Sequence, residues 1–79
     1  MQTVFVMVKA EMGKAYRVAE QAVEIEGVSE VHSISGQFDI MLTCHLDDAT
    51  DIGHFVTETV QVLPGVKDTF TLIAFKAFS

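Results

Sequence analysis

The chain has 79 residues, enough for one domain, residues 1–79, and no more. A chain this short buries only roughly 60–65% of its unfolded surface by itself, yet 49% of it is hydrophobic and its mean hydropathy is +0.36, so apolar surface is left over for a partner. Five Lys+Arg against eleven Asp+Glu give a formal net charge of −6, which argues against a grip on nucleic-acid phosphates; the single cysteine, Cys44, rules out an intrachain disulfide framework and suits a reducing cytoplasm.

The N-terminus carries no basic region ahead of an apolar stretch. Its longest apolar run, residues 4–8, is too short to cross a bilayer, so neither a signal peptide nor a membrane span is expected. Residues 3–9, rich in Val, Phe and Met, predict a first strand. Residues 12–26 place Ala15, Val18, Ala19, Ala22 and Val23 on one stripe, which predicts a helix stopped by Gly27. Residues 28–35 and 38–46 predict two strands joined at Gly36-Gln37, where the glycine supplies the backbone angles of a tight turn. Asp48 is expected to cap a second helix, with Asp51 in its first turn. Ile52, Phe55, Val56, Thr59, Val60 and Leu63 follow helical spacing to Pro64-Gly65. Residues 66–78 predict a last, long strand. The order repeats internally: Ile25-Glu26-Gly27-Val28 closes the first helix as Leu63-Pro64-Gly65-Val66 closes the second. Right-handed crossovers in both halves give an α+β, ferredoxin-like βαββαβ sandwich: a four-stranded antiparallel sheet with two helices on one face.

A two-residue turn at Gly36-Gln37 puts Phe38, Ile40, Leu42 and Cys44 on one face with Val31 and Ser33, under the helices. The other face takes Asp39, Met41, Thr43 and His45, beside His32 and Ile34. In the last strand Phe70, Leu72 and Ala74 alternate with Thr71, Ile73 and Phe75. A single sheet leaves Met41, Ile73 and Phe75 in water, and pairing two sheets face to face buries them, so dimerisation through the sheet is expected. An Ile73→Asp substitution is accordingly expected to break the dimer.

Catalytic patterns are weak. No glycine-rich phosphate loop is present, since Gly36 stands alone. His32, His45, His54 and Cys44 are scattered, and the adjacent Cys44 and His45 point to opposite faces of a strand, so no metal site, cofactor or catalytic residue is assigned. Asp39 follows the turn and precedes an apolar strand. Two roles stay open for it: a bond to turn amides or a charged partner for a ligand ammonium. Met7, Met12 and Met41 read as core or interface filler.

Ser35-Gly36-Gln37-Phe38-Asp39 resembles the Gly-x-aromatic-Asp signature of the leucine-responsive regulator (Lrp)/AsnC family. The surroundings are similar too: EGVSEV opening the second strand, DIMLTCHLDD from the Asp onward, and LPGVKDTFTLIAF at the end. The resemblance covers essentially the whole chain, but only the family's C-terminal effector domain, called RAM. Members usually carry an N-terminal helix-turn-helix, whereas these residues begin at the first strand, which resembles the stand-alone RAM proteins and implies no direct nucleic-acid contact. It implies a cytoplasmic protein in transcription regulation whose homodimers close into rings, an octamer or decamer among them, with amino-acid effectors between dimers. Assembly with full-length regulators of the family is implied as well. The expected site holds a free amino acid against Ser35, Gly36, Gln37 and Phe38, with Asp39, Thr69 and Thr71 around it. Turn amides near Gly36 suit a carboxylate, Asp39 suits an ammonium, and alternation is read as placing Thr69 and Thr71 on Asp39's face. His32 and Ile34 are secondary candidates for the same pocket. The alternatives are a small dimeric ferredoxin-like enzyme of monooxygenase or isomerase type, with His32 and His45 near Asp39 as acid–base groups, and an ACT-like regulatory domain.

Overall fold

Alternation in the first strand sets the architecture. The computed structural model describes all 79 residues. In β1 (Gln2–Ala10), Val4, Val6 and Val8 are fully buried while Phe5, Met7 and Lys9 on the opposite face are half-buried. β3 (Ile40–Leu46) repeats the pattern, with Ile40, Leu42, Cys44 and Leu46 buried. With β2 (Val28–Ser33) and β4 (Val66–Ile73) these strands form one antiparallel sheet of order β2-β3-β1-β4, as the ferredoxin-like expectation requires. The helices cover one face. α1 (Ala15–Ala22) brings Val18 and Ala22 to the core, and the second helical segment brings Val56 and Val60. The core is twelve apolar residues with no buried polar side chain.

Both helices differ from the expected ones. Gly13 sits in the left-handed region at φ 79°, which interrupts helical geometry, so α1 starts only at Ala15. At its other end, Glu24 N–H donates to the Gln21 carbonyl and Ile25 N–H to the Ala22 carbonyl, short-range bonds that tighten the chain into turns before Gly27. Gly27 has φ 101°, a conformation that favours glycine, and a Cβ there would lie 2.8 Å from Leu46 Cδ2, a side-chain tip that would have to shift. Asp51, not Asp48, caps α2 (Ile52–Phe55): its Oδ1 accepts from His54 N–H at 2.9 Å. Asp48 instead pairs with the N-terminal ammonium at 2.8 Å. α2 continues as a π-helical segment, Val56–Val60, in which the Thr59 hydroxyl bonds back to the Phe55 carbonyl. Such back-bonding offers the backbone an alternative to the α-helical pattern.

The register at the hairpin is the expected one, Ser33 opposite Ile40. The ladder stops earlier, however. Ile34 N–H donates to the Asp39 carbonyl at 2.9 Å, and Ser35 to Phe38 form a four-residue loop with Gly36 at φ 109°. Two and four are both even, so the faces of β2 and β3 are unchanged.

β4 requires a correction. Thr69, Thr71 and Ile73 stand opposite Val8, Val6 and Val4, and therefore on the helix side. The open face receives Phe70 and Leu72, opposite Met7 and Phe5. The expectation that Ile73 faces a partner sheet is thus reversed. Phe75 lies beyond β4, which ends at Ile73, and Ala74 N–H makes the last bond to β1, to the Thr3 carbonyl at 3.0 Å. The open face displays Phe5, Met7, Met41, Phe70 and Leu72, with Phe70 52% and Leu72 44% exposed.

Candidate functional site

The loop Ser35 to Phe38 is held over one end of the open face by three interactions. Asp39 N–H donates to the Val8 carbonyl at 2.9 Å, extending the β1–β3 ladder by one bond. The Asp39 carboxylate accepts from Ala10 N–H at 2.8 Å, spanning 29 positions of sequence. Lys9 Nζ donates to the Gln37 carbonyl at 3.2 Å. Phe38 then leans onto the open face and stacks on Phe70, with ring centroids 5.9 Å apart and planes 21° apart. Phe38 was expected under the helices with Ile40; it leaves the strand alternation because it belongs to the loop, and it finds apolar area on the other side.

The expected site is therefore brought together only in part. Ser35, Gly36, Gln37, Phe38 and Asp39 are contiguous, at the open-face end where β1 gives way to the loop. Thr69 and Thr71 are on the opposite face, and the expectation that they share Asp39's face is corrected. Thr69 Oγ1 accepts from Gln61 Nε2 at 2.8 Å, so it ties β4 to the end of the helical layer. His32 lies on the open face opposite Met41 but exposed, and Ile34 is half-buried beside the loop. Lys9 was not singled out from sequence, since a lone lysine at a strand end carries no signal until its contact is seen. Depressions of about 600 and 370 Å³ lie at the other end of the sheet, by Thr3 and Ala74 and by Gly27 and Asp47, and neither is lined by loop residues.

Asp39 has a structural role beyond the two that the sequence left open: one of its carboxylate oxygens ties the loop to β1. Asp39→Ala should lower stability by about 1–2 kcal/mol, the cost of an unsatisfied, partly buried amide. Asp39→Asn keeps an acceptor oxygen and should lose less. Urea denaturation of the two variants checks this, and equal losses would show that charge rather than the hydrogen bond matters.

Cys44 sits on the core face, fully buried, while the neighbouring His45 is exposed on the open face with Nδ1 3.2 Å from Thr3 Oγ1. Burial pushes the Cys44 thiol up from 9.0 to about 11. Below pH 9 the thiol is neutral in folded and unfolded chains alike. Between pH 9 and 11 only the unfolded chain gains its thiolate, so the folded state loses stability as pH rises, by about 2–3 kcal/mol at most. Urea midpoints at pH 8 and pH 11 should show this loss, and Cys44→Ala should lack that component of it.

Residues 3–79 match the family model of the Lrp/AsnC ligand binding domain. An HTH-type transcriptional regulator of Pyrococcus furiosus is 34% identical over 76 residues, covering 92% of this chain and 51% of that protein. The chain spans about half the length of the curated Pyrococcus relatives it matches. A homocitrate synthase of Sulfolobus acidocaldarius is 37% identical over 59 residues, which are 75% of this chain and 12% of the enzyme. Among solved structures, TTHA0845 from Thermus thermophilus superposes with a TM-score of 0.92 at 32% identity, covering 100% of this chain and 99% of that one. A transcriptional regulator of Neisseria meningitidis, solved as an L-Met complex, superposes at 0.86 with 21% identity over 99% of this chain and 52% of that one, a likeness of fold. On the family match across 3–79 and the shared sandwich, this chain belongs to the Lrp/AsnC family through its ligand-binding domain.

Proposed function

We propose that this chain is an amino-acid effector-binding and oligomerisation module that acts without chemistry of its own. The observation that carries the proposal is the open sheet face. It is apolar along β1, β3 and β4, and the loop Ser35 to Phe38 is folded over one end of it, pinned by Asp39 and by the Phe38–Phe70 stack. Two such faces pack against each other as a homodimer, with the loop at the rim where a second subunit completes a pocket. The dimers associate further into a closed ring of four or five, and the same surfaces admit the corresponding domain of a full-length regulator. A free amino acid occupies the rim site. The L-Met complex of the Neisseria regulator supports that ligand class. The domain's occurrence beside helix-turn-helix segments and within a biosynthetic enzyme supports a portable sensing module. The module works in the cytoplasm. Its own residues make no nucleic-acid contact, in keeping with the net charge of −6.

Thermal melting in the presence of each of the twenty free amino acids tests this. A ligand at about 100 times its Kd adds about 2.7 kcal/mol, which for a domain of this size raises Tm by about ten degrees or more. At least one amino acid should do so at millimolar concentration. Twenty unchanged melting curves would overturn the proposal.

A further inference from the structure

Resting on that reading, we propose that the Lys9 ammonium is the group that receives the amino acid's carboxylate. The turn amides near Gly36 are the competing receptor. Lys9 is the only lysine or arginine in β1 and β3, the two central strands of the sheet. It stands on the open face, half-buried, at the end of β1 where the loop folds over. Its Nζ donates to the Gln37 carbonyl at 3.2 Å, which uses one of three ammonium protons and aims the charge at the loop.

Lys9 forms no ion pair in the single chain. Asp68 is its partner in register on β4, yet the two form no ion pair, and Asp68 Oδ1 accepts from Thr69 N–H at 2.8 Å. Asp39 Oδ2 is held by Ala10 N–H at 2.8 Å, on β1 rather than on the ammonium. Covering the open face with a second sheet takes this ammonium out of water, and a buried charge without a counter-ion is costly. A ligand carboxylate arriving at the rim supplies the counter-ion and gains a charge-assisted bond. The Phe38–Phe70 stack beside it offers an apolar wall, which selects amino acids with apolar side chains.

The test is calorimetric titration of the dimeric protein with the twenty L-amino acids, followed by the carboxamide of each one that binds. The parent protein should prefer the acid over its carboxamide by about tenfold or more. Lys9→Met should bind both weakly and without preference, at an unchanged elution volume. Lys9→Arg should keep the preference. Equal affinity of the parent for acid and carboxamide overturns the assignment with no variant needed. So does a Lys9→Met protein that keeps the parent's preference, which gives the carboxylate to the turn amides while leaving the sensing role intact. Should none of the twenty bind the parent protein, the sensing role falls first and this assignment with it.

Discussion

A Leu72→Asp variant is expected to run as a folded monomer of 8.7 kDa where the parent chain runs as a dimer or larger. Leu72 stands opposite Phe5 on the open face and is 44% exposed in a single chain. Neither residue contributes to the twelve-residue core beneath the helices, so the fold survives the change. In a pair of sheets packed face to face the new carboxylate is taken out of water among the apolar side chains of Phe5, Met7 and Phe70, and stripping water from a charge costs several kcal/mol. A two-fold interface presents the substitution twice. The dimer dissociation constant should therefore rise by on the order of 100-fold or more. Ile73→Asp is the control. It is the next residue along and 51% exposed, but it faces the helix side and should leave assembly unchanged. Sedimentation or light scattering at micromolar concentration distinguishes the two. An assembly broken by Ile73→Asp and indifferent to Leu72→Asp would reverse the assignment of faces in β4.

Leu42→Ala should come close to unfolding the protein. Leu42 is fully buried in the central strand β3, between Val6 on β1 and Val31 on β2. Truncation removes its transfer free energy and leaves a cavity that a sheet held on both sides cannot close, for a loss of about 2–5 kcal/mol. A domain of this length has about 4–12 kcal/mol in total. Urea denaturation should show the midpoint fall by about a sixth at the least, and by about 40% for mid-range values. A loss below 1 kcal/mol would mean that the core is not packed around this strand.

Much of this fold was legible because two strands carry their orientation in their composition. In β1 the buried positions are all Val or Ala and the open positions include Phe, Met and Lys; in β3 the buried set ends on Leu46 and the open set includes Thr43 and His45. The hairpin register followed from an even loop, whether of two residues or four. β4 defeated the same reasoning because it and the tail after it are apolar on both parities, Phe70 and Leu72 on one and Ile73 and Phe75 on the other. Its facing is set by pairing with β1 across some sixty positions, and a bulge between Lys9 and Ala10 shifts the count there. Alternation within β4 contains neither fact. The site divided along the same line: the loop residues are contiguous in sequence and stayed together, whereas Thr69 and Thr71 depended on β4 and went to the other face. Likewise Asp48 and Asp51 are equally good caps by type, and only the observed helix start at Ile52 distinguishes them, since it places Asp51 next to the first turn.

The central claim is that an amino acid binds at the loop Ser35 to Phe38 and that a second subunit completes the site. Isothermal titration of the parent chain and of Leu72→Asp with the amino acid that most raises the parent's Tm tests both halves at once. The parent should bind with saturable heat, and the monomeric variant, with its loop, Asp39 and Lys9 intact, should bind at least tenfold more weakly. Equal binding by a folded monomer would place the ligand within one chain and contradict the account.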